Sequence, residues 1–287
     1  MKRTTLTITL ILVMSLIQTA PAMADSNRPQ KYLALGDSQA FGYDPLVVNS
    51  GKAGNPDNFI GYPTPVAAAL KENLTNASCP GETSSHFISL AETDTGCGAY
   101  RFYYNFPLHA AYNTSQLDFM DAFLQSHPET LVVSINIGIN DLLVLIDECG
   151  GADTPAEINC ILSGLPAMLA MLSANLDTIY GHIRNLDDYN HKLVALTYFS
   201  LDYSDPLSTS AISQVNQVIA DRTLAWGGVV ADGFGAFAAA SAASGGDTCA
   251  AGLRIVLSTS PLICDEHPSP AGRDLLAQAI VNALRSE

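Results

Sequence analysis

Apolar positions follow two rhythms along this chain, and the rhythms alternate. Short apolar runs mark strands: Lys31 to Leu35, Leu131 to Ile137 and Leu193 to Phe199, with briefer ones at Leu74 to Ser78 and Val229 to Ala231. Runs this continuous suit strands covered on both faces. Between them the spacing turns helical. Thr64 to Glu72 carries Val66, Ala67 and Leu70, and Gln116 to Gln125 puts Leu117, Met120, Phe123 and Leu124 on one face before His127-Pro128 stops it. Ile161 to Leu186 reads as a long amphipathic helix broken near Pro166, and Ser210 to Leu224 and Pro270 to Arg285 read as two more. Strand and helix alternate about five times, which predicts an α/β chain with a parallel sheet and helices on both faces. Ligands bind such sheets beyond the carboxyl ends of the strands.

The start of the chain keeps neither rhythm. Lys2 and Arg3 precede a mostly apolar stretch from Leu6 to Ile17, and Ala22-Met23-Ala24 fits the small-x-small cleavage rule. Residues 1–24 therefore read as a secretory leader, leaving 263 of the 287 residues. Residues 25–287 carry no Pro/Gly/Ser linker, repeat or long charge run, so a single domain with a sizeable core is expected. No Cys follows the cleavage site, and no later apolar run approaches the roughly 20 residues of a spanning helix. The expectation is an exported monomer, extracellular or periplasmic, with no stable membrane anchor.

Charge narrows the partners. Removing Lys2 and Arg3 with the leader changes 13 basic against 28 acidic residues to 11 against 28, a net charge of −17. Phosphate binding needs clustered cations, so nucleic acid is excluded as the main partner. The six cysteines fall into three near pairs along an exported chain. Disulfides are the default there, and the sequential pairing Cys79–Cys97, Cys149–Cys160 and Cys249–Cys264 staples one loop each. No C-x-x-C or paired Cys/His spacing suggests a metal site.

Four short islands carry the candidate chemistry. Gly36-Asp37-Ser38 offers a nucleophile, Asn76 to Ser84 offers a glycine N–H at Gly81, Gly138-Ile139-Asn140-Asp141 offers a side-chain amide, and Asp265-Glu266-His267-Pro268 offers a base. A serine hydroxyl needs such a base, and a developing oxyanion needs preorganised donors. Ser38, Gly81 and Asn140 each follow an expected strand, so all three should share one rim of the sheet. Each island alone has a plainer use: Asp37-Ser38 and Asn140-Asp141 as helix caps, Pro80-Gly81 as a turn, Asp265 as a water-facing turn residue. Among the histidines, His267 lies on a stiff loop before Pro268 and Pro270. His127 and His191 read as exposed, and His182 as a helix surface or packing residue. His86 and His109 flank the second island and stay open on chemistry alone. Two aromatic-rich loops, Phe59 to Tyr62 and Tyr100 to Phe106, are placed to line a site or simply to pack.

In that ordered set the chain resembles the SGNH hydrolases, the GDSL lipase/esterase family. Gly36-Asp37-Ser38, Asn76 to Ser84, Gly138-x-Asn140-Asp141 and His267-Pro268 match its first, second, third and fifth blocks, spanning nearly the whole mature chain. The resemblance implies a three-layer α/β/α sandwich with a flavodoxin-like sheet. It implies Ser38 as nucleophile, His267 as base, and an oxyanion hole from the Ser38 and Gly81 N–H groups and the Asn140 side chain. No cofactor or metal is implied, and the partner is a small-molecule or lipid ester. Two departures stand out. The first block usually ends in Leu, and here position 39 is Gln. The last block is D-x-x-H, but Cys264 stands three before His267, and the acid is Asp265, two before it. Some family members orient the histidine through a backbone carbonyl, so Asp265 or a carbonyl takes that role. The leading expectation is a serine esterase acting on lipid acyl esters. A carbohydrate acetyl esterase, a lysophospholipase or a thioesterase uses the same machinery, and an acyl-sized apolar channel separates the first from the sugar enzyme. A non-catalytic binding protein is disfavoured, because all four block residues are present.

Overall fold

A computed structural model describes residues 30–286; the leader expected over residues 1–24 lies outside them. The elements run β1 (Lys31–Gly36), α1 (Ser38–Phe41), α2 (Pro45–Asn49), α3 (Pro63–Leu70), β2 (Asn73–Asn76), α4 (Ser84–Ile88), α5 (Gln116–Ser126), β3 (Thr130–Asn136), α6 (Ile139–Glu148), α7 (Pro155–Gly181), β4 (Lys192–Leu196), α8 (Pro206–Ala225), β5 (Val229–Ala231), α9 (Gly233–Ser241), β6 (Arg254–Thr259), β7 (Leu262–Pro268) and α10 (Pro270–Arg285). The first five strands form one parallel sheet in the order β2-β1-β3-β4-β5. This is the flavodoxin-like doubly wound order, with its switch point between β1 and β3.

The two-residue period of a strand explains why the runs looked unbroken. Leu33 and Leu35 of β1, Val133 and Ile135 of β3, and Leu193 and Ala195 of β4 pack into one core with α5, α7 and α8. Their neighbours Tyr32, Ala34, Val132, Val194 and Leu196 pack into a second core with α3, α9 and α10. Both faces are covered, so both alternating sets are apolar. The result is the three-layer α/β/α sandwich anticipated from the sequence, and the three disulfides form as paired above.

Four features differ from the sequence reading. Helix α7 begins at Pro155, ahead of its first apolar position. Thr154 caps it, and Glu157 returns the bond in a capping box, a polar signal that apolar spacing does not register. Pro166 lies inside α7 without breaking it. An interior proline costs a helix roughly 3 kcal/mol. Here Ile161 and Leu165 before it and Met168, Leu172 and Leu176 after it are buried in the core, and that packing offsets the cost. The same segment, Pro155–Asn185, also reaches the length and hydropathy of a membrane span, with a mean hydropathy of 1.4, contrary to the expectation that no later run approaches it. Finally, His267 stands on a strand rather than a loop. β6 and β7 form a separate antiparallel hairpin that leads directly into α10. Most of β7 is at least partly exposed, and its Asp-Glu-His content hid it from a search for apolar runs.

Candidate active site

Three strand ends of the main sheet deliver the first three islands. β1 ends at Gly36, whose φ of +128° and close approach to β3 leave no room for a side chain: a Cβ there would lie 2.1 Å from the Asn136 carbonyl oxygen. The chain then turns at once into α1. Asp37 is the cap of α1, accepting from the Gln39 N–H at 2.9 Å, which leaves the Ser38 hydroxyl free of capping duty. Asp37 is fully buried, and its other oxygen accepts from the Tyr198 hydroxyl at 2.5 Å. Burial pushes its carboxyl up to about 6, against the pull of those hydrogen bonds. Asn76, at the end of β2, donates to the Ala40 carbonyl at 2.9 Å and so ties the second island to α1.

The second and third islands are bolted to each other. Asp141 accepts from the Ser84 N–H at 2.9 Å and the Ser84 hydroxyl at 2.6 Å, so it bridges α6 to the first residue of α4, 57 residues away. Burial raises the Asp141 carboxyl, opposed by these bonds. Asn140, buried in the first turn of α6, donates one amide hydrogen to the Glu82 carbonyl at 2.8 Å. Its second amide hydrogen stays available. Thr95 approaches both the Asn140 Oδ1 and the Gly81 carbonyl at 3.1 Å. Gly81 has a φ of +82°, and a Cβ would lie 2.5 Å from the Gly96 nitrogen, so only glycine fits. The Cys79–Cys97 bridge closes the same loop.

The fourth island arrives on β7. Asp265 Oδ1 accepts from His267 Nδ1 at 2.5 Å and from the His267 backbone N–H at 3.0 Å. The hydrogen bond from His267 holds the Asp265 carboxyl below its ordinary range, although burial acts the other way. On the other side of the imidazole, the Tyr43 ring lies 5.0 Å away, centroid to centroid. α1 packs against β7.

Ser38, Asn140 and His267 line one cavity of about 400 Å³. Gly81 is partly exposed and is not among the residues lining this cavity; Thr95 links its carbonyl to Asn140. Away from Ser38 the wall is mostly apolar, with Leu142 and Ile146 from α6, Ile161 and Leu165 from α7, and Ala211 and Ile212 from α8; Asp205, Gln214 and Glu266 add polar groups. Of the two readings left open for the aromatic loops, packing holds for this cavity: neither loop lines it. Phe59 and Phe106 stack with Phe41, and Tyr100 packs on Tyr43 and Phe106, so these rings back the histidine from outside the cavity. The two histidines left open are engaged elsewhere. His86 is buried between Glu82 and Asp94, and His109 bonds the Phe41 carbonyl at 2.9 Å.

A family model for the GDSL-like lipases and acylhydrolases matches residues 34–275. The chain belongs to that family. As a member it is an ester hydrolase. Solved structures agree in fold. It is similar to an extracellular lipase from Streptomyces rimosus at 20% identity, over 88% of this chain and 99% of that one, with a TM-score of 0.57. It is similar to phospholipase A1 from Streptomyces albidoflavus at 20% identity, over 89% and 100%, with a TM-score of 0.55. A catalytic mutant of an acetylxylan esterase from Geobacillus stearothermophilus gives 17% identity, 89% and 94%, and 0.50. No curated protein matched by sequence.

Within the GDSL-like family the two departures have local explanations. Gln39, in place of the usual Leu, is 9% exposed and sits in the cavity wall, and its Oε1 has no hydrogen-bond partner among the described residues. Cys264, in place of the usual Asp, is bridged to Cys249 and anchors β7. Sequence reasoning missed Tyr198 and Gln116, which support Asp37 and Gly36. Both lie at least 80 residues from their partners, and no local pattern reports such a contact.

Proposed function

We propose that this GDSL-family member is a serine esterase acting on lipid acyl esters. The observation that carries the reading is the apolar cavity beside Ser38, large enough for an acyl chain and walled by aliphatic side chains of α6, α7 and α8. A sugar deacetylase has no use for an apolar cavity of that size, whereas an acyl chain is stabilised there by roughly 0.8 kcal/mol per buried methylene.

In the proposed cycle Ser38 Oγ attacks the ester carbonyl carbon, and His267 Nε2 takes the hydroxyl proton. Asp265 holds Nδ1 of the same ring, fixes its tautomer and stabilises the imidazolium. The carbonyl oxygen gains negative charge and accepts from the Ser38 N–H, the Gly81 N–H and the spare amide hydrogen of Asn140. When the tetrahedral species collapses, the alcohol leaves with the proton from His267, and Ser38 carries the acyl group. Water then repeats the sequence, giving up its proton to His267 and releasing the acid. The enzyme works as one exported domain over residues 25–287, a reading supported by its three disulfides.

Labelling with a fluorophosphonate ester followed by peptide mass mapping tests the nucleophile. One adduct on the peptide containing Ser38, absent in Ser38→Ala, is expected. An adduct on another residue, or an unchanged adduct in the mutant, would overturn the assignment.

A further inference from the structure

Glu82 lies next to Gly81 and is fully buried, yet the cycle above gives its side chain nothing to do. Its surroundings are specific. Its backbone carbonyl accepts from Asn140 Nδ2 at 2.8 Å. One carboxylate oxygen meets His86 Nδ1, and the other, Oε2, accepts from Gln116 Nε2 at 2.9 Å. Gln116, also fully buried, reaches on from α5 to Gly36: its Oε1 accepts from the Gly36 N–H at 2.6 Å, and its Nε2 donates to the Gly36 carbonyl at 3.0 Å. β2 has already ended at Asn76, so this amide, together with the Cys79 N–H that also donates to the Gly36 carbonyl at 3.0 Å, stands in for a strand partner at the last residue of β1. Gly36 is two residues before Ser38.

We infer that Glu82 is a positioning residue for the esterase. It locks the orientation of the Gln116 amide, which sets the backbone leading into Ser38, while its own carbonyl sets the Asn140 amide. The inference rests on the serine-esterase reading. The argument is one of donors and acceptors. Gln116 Oε1 must face the Gly36 N–H, which can only donate, and Nε2 must face Glu82. His86 lies between two carboxylates, with Asp94 Oδ2 3.4 Å from its Nε2. Wherever the proton between Glu82 and His86 resides, Glu82 Oε2 remains an acceptor, and it rejects the flipped amide. Arg101 is the nearby cation, and it bonds the Tyr112 and Thr114 carbonyls at 2.9 Å. A methionine at position 82 keeps the length of the side chain and offers Gln116 Nε2 no oxygen acceptor, whichever nitrogen of His86 carries the proton.

The test uses steady-state kinetics on a soluble p-nitrophenyl ester with wild type, Glu82→Met, Gln116→Met and the double variant, beside Ser38→Ala and with melting curves for each. Ser38→Ala judges the parent reading separately, because it abolishes activity only if that serine is the nucleophile. Misplacing reacting groups by about 1 Å costs on the order of 10²-fold in rate. Both single variants are expected to lose about that factor in kcat with KM unchanged. The double variant is expected to be no worse than the poorer single one, since both changes break one chain of contacts. Unchanged kcat in folded Glu82→Met, or losses that multiply in the double variant, would overturn the inference. If Glu82→Met does not fold, Gln116→Met decides alone, and full kcat in that variant overturns it.

Discussion

Asp265 and His267 are two residues apart on one strand, and the carboxylate closes on the imidazole Nδ1 at 2.5 Å. Alternate residues of a strand point to the same face, so a spacing of two brings both side chains together. The family's usual D-x-x-H spacing does not have that property on a strand. The hairpin geometry thus accounts for the displaced acid, and it places Asp265 rather than a backbone carbonyl beside the ring. Asp265→Asn is expected to lower kcat by about 10²–10⁴-fold, since an amide in that position favours the wrong tautomer. Kinetics of the mutant beside Ser38→Ala check this, and a loss of only a few fold would return the orienting role to a carbonyl.

The cavity wall predicts chain-length selectivity. Ala211 lies in the wall opposite α6 and α7. Ala211→Phe fills part of the space intended for the acyl chain. It is expected to lower kcat/KM for an octanoyl ester by about 10-fold or more while changing the acetyl ester by less than about 2-fold, as one methylene in such a pocket is worth about 10–200-fold. Equal losses for both esters would mean that the chain does not bind there.

Asp37 gives the fold a pH signature. Burial raises its carboxyl from 3.8 to about 6. The native state therefore keeps this proton to higher pH than the unfolded chain does, and its contribution to stability is present below about pH 4 and lost as pH rises through about 6. Urea midpoints between pH 4 and 7 are expected to show this decline in wild type and a smaller one in Asp37→Asn. An identical pH dependence in both proteins would contradict it.

How much of this was legible in the sequence depended on range. The strands showed because both their faces are buried, and α5 and α10 showed because one face is. The candidate residues Ser38, Gly81, Asn140 and His267 showed because a short motif surrounds each one. What did not show was either polar or distant. Thr154 starts α7 before any apolar position, β7 is too polar to read as a strand, and the bonds Gly36–Gln116 and Asp37–Tyr198 span 80 and 161 residues. The aromatic loops stayed open between two uses because aromatic rings read alike in sequence whether they line a cavity or brace its neighbour.

The Cys249–Cys264 bridge anchors the strand that carries His267. It closes a loop of 15 residues. The paired change Cys249→Ser, Cys264→Ser is expected to cost about 3 kcal/mol of stability, the usual value for a loop of that size. Because Cys264 adjoins Asp265, kcat should also fall below the melting range. A lowered melting temperature with full kcat would limit the bridge to stability.

The central claim is tested most directly by hydrolysis of p-nitrophenyl esters from acetyl to long-chain acyl, with wild type beside Ser38→Ala. The account predicts a kcat/KM that climbs with chain length until the cavity is full, and no enzymatic turnover in the mutant. Equal turnover in the two proteins would remove Ser38 from the chemistry, and a preference for acetyl over every longer chain would contradict the lipid-ester assignment.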